Sequence, residues 1–162
     1  MSSVARRVWR SRSAHRARRF WWALTARSLR PTTRAWVDGY LLAGERELFD
    51  TLTRSDQRHH VQVARRMIAL VGESEREWVA AALLHDVGKA VCGLGTLGRV
   101  VATLMPWCKA GDGRVARYHR HEQIGASLLL SAGSSATTAA LVGKWDEAPQ
   151  RAAKALFEAD DL

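Results

Sequence analysis

The chain has 162 residues, 47% of them hydrophobic and 25% charged, enough for one domain of ordinary size with a genuine core. No apolar run approaches the ~20 residues of a bilayer-spanning helix, so an integral membrane protein is excluded. The formal net charge of +9 is equally uninformative about the core, because residues 1–34 hold ten arginines and no acid while the remainder balances 15 Lys+Arg against 16 Asp+Glu.

Residues 1–34 therefore read as a basic arm, rich in Arg and Ser, with an aromatic cluster at Phe20, Trp21 and Trp22. Like-charge repulsion favours a flexible tail. Two other readings stay open: a surface helix that lays its tryptophans into an anionic membrane, and contact with nucleic-acid phosphates. FWWAL is too short for a secretory signal, and the same missing apolar stretch argues against export through Arg18-Arg19. Cys92 and Cys108 form no CxxC pair, which gives neither a disulfide framework nor a zinc knuckle and suits a reducing cytoplasm.

Residues 35–162 read as a single compact helical domain. Trp36, Tyr40, Leu41, Leu48 and Phe49 make an apolar stripe over 36–52, and Asp56 is the expected N-cap of a helix running to Val71, where Gly72 stops it. Ser74 and Glu77 have capping-box spacing and open a helix expected to run to about His85. Gly93, Gly95 and Gly98 loosen the next stretch, and Pro106 ends it. Short helices are expected at 112–120, 122–132, 135–145 and 149–160. Nothing alternates with period two for long enough to make a sheet, so the fold class is all-α.

The chemistry concentrates at Leu84-His85-Asp86-Val87-Gly88-Lys89. If the helix continues through Asp86, His85 stands over Ala82, Ala81 and Trp78, and Asp86 over Leu83, Ala82 and Val79. Both polar groups then face the apolar side, where an ionised carboxylate costs several kcal/mol unless a cation or strong donors meet it. A hydrogen-bonded His–Asp pair would answer this, and a divalent metal would answer for both groups at once. Upstream, His60 lies at the centre of the stripe formed by Val63, Ala64, Met67 and Val71, whereas His59 lies at its edge. Periodicity favours His60 as the inward-facing residue, and an edge position is the better place to face a cleft. Near the end of the chain, Asp160 stands over Phe157, Leu156 and Ala153, and Asp161 over Glu158.

His85-Asp86-Val87-Gly88-Lys89 resembles the HDxGK signature of the HD-domain metal-dependent phosphohydrolases. His59, with Val63, Ala64, Met67, Leu70 and Val71 after it, resembles that family's upstream His-x-x-x-Val-Ala helix. Leu156-Phe157-Glu158-Ala159-Asp160 resembles its closing L-x-x-A-D helix. The resemblance implies a metal site built from His59, His85, Asp86 and Asp160, a mixed N/O set that suits Mn²⁺, Fe²⁺, Co²⁺, Ni²⁺, Zn²⁺ or Mg²⁺. His121 matches the family's H-x-x-I-G-A segment. No histidine pair follows over 142–147, so one ion per chain is expected, with His121 and His119 left as outer contacts or ligands of a second ion.

The implied reaction is hydrolysis of a phosphomonoester or phosphodiester, a nucleotide being the favoured substrate. Asp86 would take a proton from the attacking water, and Lys89 would meet phosphate charge unless it is simply a solvated lysine. Arg117 is a further candidate for anion binding. The alternative is a regulatory HD module that binds a metal or nucleotide without turning it over.

Overall fold

A computed structural model describes residues 28–72, 75–91 and 120–162. Most of the basic arm, Ser74, both cysteines, Arg117 and His119, and all but the last residue of the helix expected over 112–120 lie outside the described residues. Those described are all-helical: α1 (Pro31–Tyr40), α2 (Ala43–Asp50), α3 (Arg54–Val71), α4 (Arg76–Leu84), α5 (Val87–Val91), α6 (His121–Ser131), α7 (Ala136–Gly143) and α8 (Gln150–Asp161). None is long and apolar enough to cross a membrane.

The core is organised around α4. Its Val79-Ala80-Ala81-Ala82-Leu83-Leu84 run is buried at every position, the pattern of a helix covered on all sides. Three successive alanines keep it thin, so α1, α2, α3 and α7 all pack against it. Phe49, Met67, Leu129 and Val37 complete the interior without solvent exposure. Helix α8 lies along α3 and α6 along α7, so the chain's last helix returns to the first long one. Arg66 donates to the carbonyl of Ala159 and Arg151 to that of Val71, which ties opposite ends of α3 and α8 together and fixes them antiparallel.

Several boundaries differ from expectation for local reasons. The stripe over 36–52 is divided between α1 and α2, and α1 begins at Pro31, ahead of the boundary placed at residue 35. Arg34 on α1 pairs with Asp38 and reaches Asp50 on α2, closing that corner. The N-cap of α3 is Thr53, whose hydroxyl accepts from the Asp56 amide at 3.2 Å; Asp56 itself sits in the first turn, where its charge complements the helix dipole. Gly72 ends α3 at φ +74°, a left-handed conformation open to glycine at little cost.

Gly88 has a different task. A Cβ there would collide with the His121 carbonyl and approach the Gly125 amide to 2.8 Å. Backbone meets backbone where α5 crosses α6, and only a residue without a side chain fits. The glycine of HDVGK thereby sets how closely the segment bearing His121 approaches Asp86.

Candidate metal centre

The helix expected to run to about His85 ends at Leu84, and His85 and Asp86 form the turn before α5. A helix end leaves its last carbonyls for other donors. Here Ala82 O accepts from His85 Nδ1 at 2.9 Å, and Leu83 O accepts from His60 Nδ1 at 2.8 Å. A carbonyl only accepts, so each Nδ1 carries its proton. The free face of the His85 ring is then Nε2, a buried nitrogen with no hydrogen-bond partner among the described residues.

That nitrogen looks into a cluster drawn from three remote parts of the chain. His85 Nε2 lies 3.6 Å from Asp86 Oδ2 and 3.5 Å from Asp160 Oδ1, too far for a good hydrogen bond to either. His59 Nε2 lies 2.9 Å from Asp160 Oδ1, bridging α3 to α8. One ligating atom each of His59, His85 and Asp160 falls within 4.8 Å of the others. Adjacent donors around an ion at ~2.1 Å are separated by about 3.0 Å in octahedral and about 3.4 Å in tetrahedral geometry. The observed separations of 2.9–3.6 Å fit that spacing. These His/Asp groups could hold a divalent cation, and the unsatisfied Nε2 of His85 is the atom that most needs one.

His85 Nε2 thus faces both Asp86 and Asp160, and His59 joins it through Asp160. His121, at the start of α6, reaches Asp86 Oδ1 with Nε2 at 3.4 Å. Lys89, one turn after Asp86, pairs with its Oδ2 at 2.6 Å. His60 is 1% exposed, as its place in the α3 stripe predicts, yet its ring lies 4.3 Å from that of His85. The sequence separated a core His60 from a cleft-facing His59, whereas both flank the same centre. Two consecutive histidines on one helix point about 100° apart, and a partner ring at the end of α4 lies between those directions. A cleft of about 700 Å³ between α6 and the turn after α7 is lined by Gln123, Ala140, Gly143, Lys144, Trp145 and Asp146; none of the cluster's donors lines it.

Burial pushes the His85 imidazole down, but Asp86 and Asp160 outweigh it and keep the ring protonated above its ordinary 6.5. Burial raises Asp86, and His85, Lys89 and His121 reverse that, leaving it well below 3.8. For Asp160, burial is likewise overcome by the hydrogen bond from His59 and the nearby His85 ring, and the carboxyl falls below 3.8. Burial and the neighbouring His85 hold His60 neutral, well below 6.5.

These shifts have opposite signs across pH. The carboxylates contribute stability above pH 3.8 that is lost as pH falls. The neutral His60 contributes above 6.5 and loses its contribution below it. The protonated His85 contributes fully below 6.5 and loses its share as pH rises through its raised value. Metal-free protein is expected to be most stable near pH 6.5. Urea midpoints between pH 4 and 9 in chelator test this, and a steady rise through pH 8 would exclude a protonated His85. A saturating divalent ion, which requires His85 neutral, should move the maximum to higher pH.

Comparison with protein-family models, curated proteins and solved structures returns no match to this chain.

Proposed function

We propose that the chain is an HD-type metal-dependent phosphohydrolase acting on a phosphomonoester or phosphodiester, with a nucleotide the favoured substrate. The observation that supports it best is the buried Nε2 of His85, without a hydrogen-bond partner among the described residues and facing both Asp86 and Asp160, the latter bonded to His59. Residues 101 positions apart in sequence, His59 and Asp160, hydrogen-bond there across two helices. A polar cluster of this size is a poor way to fill a core, and its donor set suits a divalent ion.

When bound, such an ion would polarise a phosphoryl oxygen and acidify an adjacent water. The residues divide the remaining work. Asp86, beside His85, Lys89 and His121, would accept the proton of the attacking water. Lys89, held against Asp86 and still 21% exposed, presents positive charge to an incoming phosphate. His121, 3.4 Å from Asp86, would return a proton to the leaving group.

The test is to load the full chain separately with Mn²⁺, Fe²⁺, Co²⁺, Ni²⁺, Zn²⁺ and Mg²⁺, measure retained metal, and screen phosphomonoesters, phosphodiesters and nucleotides for release of product. Metal-dependent turnover of at least one ester is expected. Retained metal with tight nucleotide binding and no product would make the chain a binding module, and no retained metal at all would overturn the reading.

A further inference from the structure

The four residues that the family resemblance implies as ligands, His59, His85, Asp86 and Asp160, do not exhaust the donors at this centre. His60, His85 and Asp86 form a second group whose ligating atoms lie within 4.8 Å of one another, sharing His85 with the set of His59, His85 and Asp160. The His60 and His85 rings are neighbours, 4.3 Å between centroids and inclined at 44°. Both are anchored in the same way, with Nδ1 donating to consecutive carbonyls at the end of α4. A backbone carbonyl on Nδ1–H fixes the tautomer that leaves Nε2 as the lone-pair donor, which is how metal-ligating imidazoles are oriented and made more basic. An aliphatic residue would fill a site 1% exposed without the desolvation cost that an imidazole carries.

We propose that His60 is an additional ligand of this centre, giving it three imidazoles and two carboxylates and directing it toward late first-row transition ions rather than Mg²⁺. Imidazole suits Fe, Ni, Cu and Zn, whereas Mg²⁺ prefers oxygen donors and retains its water. The inference rests on the metal-centre reading above, but assigns a residue and a metal class that the reading does not.

His60→Asn is the informative variant, because its side-chain amide can replace Nδ1–H as the donor to Leu83 O while offering nothing in place of Nε2. Direct titration of the full chain with Co²⁺, followed by the visible absorption of the ion, gives affinity and coordination without any substrate. Loss of an outer contact to a metal ligand typically costs 10–100-fold in affinity, so loss of a ligand is expected to cost about 100-fold or more, with an altered Co²⁺ spectrum. Wild type should take up Co²⁺ or Zn²⁺ in the presence of excess Mg²⁺, and His60→Asn should discriminate less. In wild type labelled with ¹⁵N-histidine, Zn²⁺ should shift the Nε2 resonance of His60 together with those of His59 and His85, a readout that does not depend on the variant folding. Unchanged Co²⁺ affinity and spectrum in folded His60→Asn, or a stationary His60 Nε2 on Zn²⁺ loading, overturns the additional ligand and leaves the four-residue centre standing. Absence of metal uptake by wild type overturns both.

Discussion

Replacing His85 and Asp86 together by alanine should abolish metal retention and lower phosphate-ester hydrolysis by at least about 10³-fold, because a catalytic ion supplies several kcal/mol and each 1.36 kcal/mol is tenfold in rate. Paired substitution is the cleaner design. Asp86→Ala alone leaves the buried His85 imidazolium with one carboxylate fewer, and His85→Ala alone leaves Asp86 and Asp160 without the ring that separates them. Either single change exposes an uncompensated charge, so the stability losses should not add, and the double variant should lose less than their sum. Thermal melting with and without metal reads the same result independently of substrate. Wild type should gain about 4 kcal/mol at an ion concentration 1,000 times its dissociation constant, and the double variant should gain nothing. Equal metal-induced stabilisation of the two proteins would place the ion elsewhere.

Much of this centre is legible in the linear sequence because helices convert spacing into direction. His85 and Asp86 follow an apolar run, and Asp160 lies over Leu156 and Ala153, so each is aimed inward before any fold is known. The position of His59 at the edge of a stripe foretells a residue that reaches out of its own helix, and it meets Asp160 at 2.9 Å. What periodicity does not carry is the end of α4. A regular helix through Asp86 would engage the carbonyls of Ala82 and Leu83 in its own ladder. The turn at His85 instead makes them acceptors for two imidazoles, which draws His60 from the core into the site. Gly88 is similar: the sequence marks a flexible residue, but its need comes from the backbone of His121 and Gly125 on a helix more than 30 residues away. Long-range crossings of this kind leave no periodic trace.

The same limit applies to Glu45, which periodicity passes over as a polar residue on a surface helix. Its side chain is fully buried, at 0% exposure, and its carboxylate is saturated. Oε2 accepts from the Leu42 amide at 2.8 Å, capping the start of α2, and from Arg76 at 3.0 Å; Oε1 accepts from the Ser134 hydroxyl at 2.8 Å. Arg76 also donates to the carbonyl of Tyr40. One carboxylate therefore joins the α1–α2 corner, the first turn of α4 and the loop between α6 and α7, the elements that must be in register for Asp86 and His121 to meet.

Glu45→Ala strips a buried pair of its anion, a change that typically costs 3–5 kcal/mol. Arg76 is 35% exposed and can recover some hydration, so about 3 kcal/mol is expected, or roughly 6–12 °C in melting temperature. Glu45→Gln separates charge from connectivity: its oxygen can serve Leu42 and Arg76 while its amide donates to Ser134, so the loss should be only about 1 kcal/mol. Metal affinity of the folded fraction should not change in either variant, since Glu45 holds the near end of α4 and the centre lies at the far end. Denaturant unfolding of the metal-free proteins decides the matter. If Glu45→Ala and Glu45→Gln lose the same amount, the charge carries the whole effect and the hydrogen bonds that the amide keeps contribute nothing. If both unfold at the wild-type midpoint, the carboxylate is not what aligns α2, α4 and the α6–α7 loop.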